Sequence, residues 1–481
     1  KNIFETGFEK DTARSEQKQE PTTVPTIEDE GGAVLKKAKR FDYKLKFSLD
    51  NFSGGFNNDI LISRYQPFTG ALPVVLQSGG AFNGMIKASI FDLFEDIRFT
   101  GALRLPLIGG IGTGASIGGG GGGTSVFVPV NQSLFDGGGE WYGRVDYLKK
   151  RMDYSLIYYR RTDLGSVSGL NNNPGQFYEG KLFTNLYQAV LKYPLDRVRS
   201  VRLSAGIRTD RVVVRGDNFD PETLKAADLN KQTFAVSRLE YVHDNAITKA
   251  MNIWNGLRFK IYMDLNAQIN EKSEGTAKPG RFTYNAGFDG RYYYPIYRNF
   301  IWAGRVAADF SWGNQKIVYY LGGVDGWMFP KYSQFPRPQD PTYAYQSLAV
   351  NMRGFPQNVA NGNNAVVINS EFRFPVFSTL INRPINNAFI RNFQLIQFID
   401  LGSAWNGAYD KITRPEVVYN NPDNSVIARF KAGGIGPFVG GYGFGARSML
   451  LGYFLRLDVG WEMNGFFRGE PMLHFAMGLD F

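Results

Sequence analysis

Large apolar residues and small or polar ones alternate along most of this chain with a period of two. At the C-terminal end, Leu473, Phe475, Met477, Leu479 and Phe481 are interleaved with His474, Ala476, Gly478 and Asp480. A strand with that period has one oily face and one wet face. In a soluble sandwich the oily faces would share a core, but too many segments here carry such a face for one core to hold. The pattern therefore predicts an all-β fold, a transmembrane antiparallel β-barrel with apolar side chains toward lipid and polar ones toward the lumen.

Four segments show the alternation most clearly. In 257–267 the outward set is Leu257, Phe259, Ile261, Met263, Leu265 and Ala267, against Arg258, Lys260, Tyr262, Asp264 and Asn266 inward. In 281–294, Phe282, Tyr284, Ala286, Phe288, Tyr292 and Tyr294 point out, while Arg281, Thr283, Asn285, Asp289 and Arg291 point in. Segments 451–461 and 201–210 behave alike. Each run has the length, about 9–11 residues, that a tilted strand needs to cross a bilayer.

Extended along the chain, the pattern predicts about sixteen strands, starting near residues 42, 82, 96, 140, 152, 179, 199, 232, 254, 281, 299, 365, 393, 440, 451 and 472. An even number is usual for a bacterial outer-membrane barrel. Connections near 149–153 and 195–198 are tight. Those near 54–80, 108–135, 212–230, 314–363 and 406–438 are long, and long loops belong outside the cell. Residues 1–40 differ: the stretch from Glu16 to Glu30 is mostly Glu, Gln, Thr and Pro and cannot bury enough apolar surface to fold alone. The expected organisation is a periplasmic linker over 1–40 and a barrel over 41–481. The linker is expected to join the barrel to a periplasmic domain or subunit on its N-terminal side. The chain starts at Lys1 without an apolar leader, so a secretion signal is expected upstream.

Composition narrows the chemistry. The mean hydropathy of −0.26 argues against a bundle of membrane helices, whereas a β-barrel hides its membrane signal because every second residue is polar. Aromatic residues make up 15% of the chain, which suits interfacial girdles. The chain has no cysteine, so thiol nucleophiles, disulfides and Cys-ligated zinc are excluded. Its two histidines, His243 and His474, lie far apart in sequence, which disfavours a His-rich metal site or a Ser-His-Asp triad. The net charge of +10 is dispersed through the strands, which fits a charged lumen and anionic lipid head groups better than nucleic acid. Two stretches, Gly110–Ala115 and Gly441–Ala446, match G-x-G-x-x-A, but neither runs on into a helix as a dinucleotide site requires. The tract Gly109–Gly123 reads as a flexible surface loop. There is no Walker loop and no H-E-x-x-H. No catalytic residue, metal or cofactor is expected, and the chain reads as a non-enzyme.

Three motifs stand in order in the C-terminal part: Asn351-Met352-Arg353-Gly354-Phe355 in the longest loop, Glu371-Phe372-Arg373-Phe374-Pro375, and Phe398-Ile399-Asp400-Leu401-Gly402. The Gly-rich strand Gly443-Phe444-Gly445-Ala446 follows. Over 300–481 the chain resembles the BamA-like outer-membrane assembly proteins and two-partner secretion transporters. The resemblance implies that the long loop folds back into the barrel and that its Met352-Arg353-Gly354-Phe355 tip is pinned to the wall through Glu371 and Asp400. It also implies that the final strand, with Phe475, Met477, Leu479 and Phe481, carries an assembly signal. The segment Gln315–Gly323 is similar to barrels fused to a periplasmic β-propeller.

The function these readings imply is insertion or translocation of polypeptides at the outer membrane of a Gram-negative bacterium. The expected partners are outer-membrane lipid and client β-barrels or secreted polypeptides. The alternatives are a closed barrel that anchors a periplasmic module or complex, and a passive pore for small solutes.

Overall fold

A computed structural model of the chain describes residues 45–56, 61–62, 65–68, 82–108, 126–129, 138–168, 177–215, 231–269, 281–333, 335–336, 338, 342–409, 412–420 and 427–481. The linker expected over 1–40 and the Gly109–Gly123 tract lie outside the described residues.

Among the described residues sixteen strands paired in chain order form the wall, and three short strands, Val126–Pro129, Ile247–Ala250 and Gly434–Ile435, pair onto them. The sixteen begin with β1 (Phe47–Phe56), β2 (Phe82–Asp92), β3 (Ile97–Ile108), β4 (Gly139–Tyr147), β5 (Asp153–Ser168), β6 (Phe177–Pro194), β7 (Arg199–Arg215) and β8 (Gln232–Asp244). The second half comprises β9 (Ile253–Gln268), β10 (Phe282–Tyr297), β11 (Phe300–Gly313), β12 (Asn364–Phe374), β13 (Gln394–Trp405), β14 (Phe438–Leu450), β15 (Tyr453–Glu462) and β16 (Met472–Met477). Fifteen antiparallel ladders join each strand to the next in chain order. From β2 onward every strand begins within two residues of the expected start.

The ladder registers line up the oily residues across neighbouring strands. Leu191, Leu203, Leu239 and Met263 stand opposite one another on β6 to β9 and are 38–52% exposed. On the other face of the same strands Asp264 and Asn266 are buried. A continuous apolar band of this extent is costly in water and is satisfied by lipid. Aromatic side chains bracket it on β10 and β11. Phe282, Tyr284 and Trp312 stack at one end, and Tyr292, Tyr294 and Trp302 cluster at the other. That arrangement is the pair of girdles of a transmembrane barrel.

The lumen is not empty. Between β11 and β12 the chain folds inward and, with Gln66–Pro67 from the connection between β1 and β2, forms a second, four-stranded sheet. Its order is Ala360–Gly362, Lys316–Leu321, Tyr343–Leu348 and Gln66–Pro67, and its two central strands run parallel. The long connections at 54–80 and 314–363 therefore contain strands where the alternation predicts plain loops, as do 108–135 with Val126–Pro129 and 406–438 with Glu416–Asn420, Ile427–Lys431 and Gly434–Ile435. Every residue of Tyr343–Leu348 is buried, so the segment has no wet face and no period of two.

The last strand also ends differently. The alternation runs on to Phe481, but β16 stops at Met477, and Gly478 adopts φ +111, a conformation that bends the chain away from the wall. Between β1 and β16, the two ends of the ladder, no strand pairing is present among the described residues.

Candidate functional site

Alternation in β12 and β13 determines which residues face the lumen. Phe372 and Ile399 point outward and are 42% and 40% exposed, which leaves Asn369, Glu371, Phe398 and Asp400 on the inner face. The infolded chain brings Arg353 to them. Its Nη1 lies 2.6 Å from Glu371 Oε1. Its Nε and Nη2 donate to Asp400 Oδ2 and Oδ1, both at 2.7 Å, and its backbone N–H donates to Oδ2 at 2.9 Å. The guanidinium lies 3.9 Å from the centre of the Phe398 ring. Asn369 donates to Asp400 Oδ1 at 2.8 Å, and Arg373 donates to Glu371 Oε2 at 2.7 Å. The cluster thus balances two guanidinium charges against two carboxylates in a site that excludes water. Such a buried group holds together only while every member is paired.

The neighbours of Arg353 make this approach possible. Gly354 has φ +87, and a Cβ there would sit 3.0 Å from the Trp461 carbonyl oxygen. Its N–H donates to His474 Nε2 at 3.0 Å. A Cβ on Gly460 in β15 would sit 2.7 Å from Gly354 N, so the wall is bare where the loop tip lies against it. Met352 and Phe355 are fully buried. All six residues of the loop-tip and wall motifs therefore converge on one place. Sequence reasoning missed His474, Asn369 and Arg373 as parts of it. Their positions on inward faces carried the signal, but their roles depend on which loop reaches them.

The four residues expected as one lipid-facing signal have four different environments. Phe475 is partly buried and stacks on Phe329. Met477 is buried against Met328 and Tyr453, and Leu479 is exposed. Phe481 is 6% exposed and packs against Ile253, Tyr293, Ile301 and Ala303 on the opposite part of the wall. Arg373 donates to the Phe481 carbonyl oxygen at 3.0 Å and lies over its ring at 4.8 Å. Asp480 is held by Arg447 at 2.8 Å and by Asn252 at 2.8 Å. A lipid-facing Phe481 is thus corrected: the bend at Gly478 carries the terminus into the lumen mouth.

Deeper in the lumen lies a cavity of about 340 Å³, lined by residues that include Tyr65, Arg208, Arg238, Asp264, Asp289 and Arg305. Five of the cations that line it are ion-paired: Arg144 with Asp146, Arg161 with Asp163, Arg208 with Asp210, Arg238 with Asp264 and Arg305 with Asp289. Among the described residues no group of three His, Asp or Glu is placed to hold a metal ion. The segment Gln315–Gly323 supplies the strand Lys316–Leu321 of the inner sheet.

No family model matches the chain, and no curated protein matches it. Among solved structures it is similar to CdiB from Escherichia coli, with TM-score 0.44 and 10% identity over 91% of this chain and 63% of that one. It is similar to BamA from Haemophilus ducreyi lacking POTRA domains 1-3, with TM-score 0.42 and 11% identity over 90% and 71% of the two chains. For CdiB from Acinetobacter baumannii the values are 0.41 and 10%, over 84% and 58%. The chain therefore spans less than two thirds of the length of either CdiB.

Proposed function

We propose that this barrel assists polypeptides to insert into, or cross, the outer membrane of a Gram-negative bacterium. The observation that carries the reading is the seam. Fifteen ladders run unbroken from β1 to β16, yet among the described residues no ladder joins the two ends. A strand edge in hydrocarbon must have its backbone groups satisfied, so a seam whose two end strands do not pair with each other is a place for an incoming strand to add. A client strand added there would enter lipid with its hydrogen bonds already made. The mechanism is non-covalent. The loop tip and its Arg353 cluster brace β12 to β16 from inside, so that the last strands keep their register while the seam is open.

The native chain lacks cysteine, so single cysteines or photo-crosslinkers at 47–51 and 473–477 report on the seam alone. Capture of a nascent outer-membrane barrel at both edges is expected. Failure to capture any client at either edge would contradict an insertase and favour the second reading, a closed barrel anchoring a periplasmic module. The filled lumen and the Arg353 cluster support that alternative over a solute pore.

A further inference from the structure

The free edge of β16 is not bare. The segment Gly326–Phe329, just beyond the inner strand Lys316–Leu321, lies along it. Met328 N–H donates to the Phe475 carbonyl at 2.9 Å, and Met477 N–H donates to the Gly326 carbonyl at 3.1 Å. Trp327 and Ala476 stand opposite each other as an antiparallel bridge. These are the backbone groups of β16 that face away from β15, because Gly478 N–H, one step on, donates to Phe454 on the β15 side. The segment therefore occupies the position that a seventeenth strand would take.

Its side chains fit as well as its backbone. The Trp327 ring lies 4.4 Å from the ring of His474. Met328 is 5% exposed and packs with Tyr453 and Met477, and Phe329 stacks on Phe475. Gly326 has φ +67, and a Cβ there would collide with the Met477 carbonyl, so the close approach requires glycine. Arg456 on β15 donates to the Asp325 carbonyl, and Asp325 N–H donates to Asn351 Oδ1 at 2.7 Å.

We propose that the outer edge of β16 is a strand-binding site, filled in the resting chain by Gly326–Phe329. Its ligand is an extended peptide of another polypeptide, antiparallel to β16. That peptide places an aromatic side chain on the lumen side against His474 and large apolar side chains on the lipid side over Met477, Tyr453 and Phe475. The chain's own β1 does not carry that pattern. Its lumen-side residues, opposite Phe91, Ser89 and Lys87, are Ser48, Asn51 and Ser53, and none is aromatic. The resident segment holds the edge by two backbone hydrogen bonds, and a longer strand would offer more. The proposal rests on the seam being the working edge, but its test reads peptide binding and needs no client insertion.

The test uses the whole chain in detergent and a labelled synthetic peptide with the sequence of residues 324–330. Trp327 and Ala476 form a pair without mutual backbone bonds, the closest kind across an antiparallel ladder and within disulfide reach. A Trp327→Cys/Ala476→Cys double variant is expected to oxidise to an intramolecular disulfide. Failure to form it would overturn the placement of the segment. The Trp327→Ala/Met328→Ala variant is expected to bind the peptide at least ten-fold more tightly than the unaltered chain, and a photo-crosslinker at the methionine position of the peptide should label 475–477. The oxidised double-cysteine variant should not bind it, and reduction should restore binding. A peptide with its tryptophan replaced by alanine should bind at least ten-fold more weakly. Equal binding to the oxidised and reduced forms, labelling elsewhere, or indifference to the tryptophan would each overturn the proposal. If the alanine variant does not fold, the oxidised and reduced forms alone decide it. Peptide binding without client insertion would sink the proposed function and leave this site standing.

Discussion

Arg353 and Asp400 are joined by three hydrogen bonds, one from the backbone and two from the guanidinium, at 2.7 to 2.9 Å. The residues are 47 positions apart in sequence, so this contact fixes where a long loop ends inside the barrel. Removing Arg353 would leave Glu371 with Arg373 alone and Asp400 buried without its guanidinium. Breaking one partner out of a buried cluster costs about 3–5 kcal/mol. Arg353→Ala is therefore expected to lower the unfolding midpoint in detergent markedly, and an unchanged melting profile would remove the lock from the account. Met352→Val shortens a fully buried side chain beside Gly402 and should cost only about 1 kcal/mol.

The bare wall at Gly460 should matter as much as the ion pairs. A Cβ there would sit 2.7 and 2.8 Å from the backbone of Gly354, where nothing flexible can yield. Gly460→Val should push the loop tip off the wall, cost about 1–3 kcal/mol or more, and expose the loop to limited proteolysis. Gly101→Ala is the control, because its Cβ meets nothing within 4 Å and its φ is ordinary. A protease pattern shared by both variants would count against a close fit between Gly354 and Gly460.

Phe481 and Leu479 share the same parity, so a uniform wall strand would make them equivalent. Their different burial predicts otherwise. Phe481→Ala should lower stability by about 3 kcal/mol, the low end for a buried aromatic, while Leu479→Ala in detergent should be nearly neutral. Equal effects in urea melts would restore the simple lipid-facing reading of the terminus.

Purified chain in planar bilayers is expected to carry little steady current, because the inner sheet and the loop tip fill the lumen. Arg353→Ala and Gly460→Val should add brief openings. A large, steady conductance from the unaltered chain would favour a pore.

The wall was legible because its cause is local. Each strand meets lipid on one side and a polar lumen on the other, so the period of two is written into residues such as Leu257–Ala267 without reference to distant parts of the chain. The motif residues Arg353, Glu371 and Asp400 were legible through their order and through the parity of β12 and β13. The inner sheet was not, because Tyr343–Leu348 is buried on both faces and so loses the alternation. Parity misplaced Phe481, since nothing in the pattern marks that Gly478 breaks the strand. Gly326–Phe329 is too short to show any period, and its role depends on which edge it reaches.

Alternate side chains of each wall strand meet hydrocarbon around this cylinder. Spin labels placed one at a time from 257 to 267 on β9, in lipid vesicles, test that most directly. High oxygen accessibility at 257, 261, 263 and 265, with low values at 258, 260 and 264, is the expected result. A flat profile, or water-soluble relaxant reaching the first set as readily as the second, would contradict it.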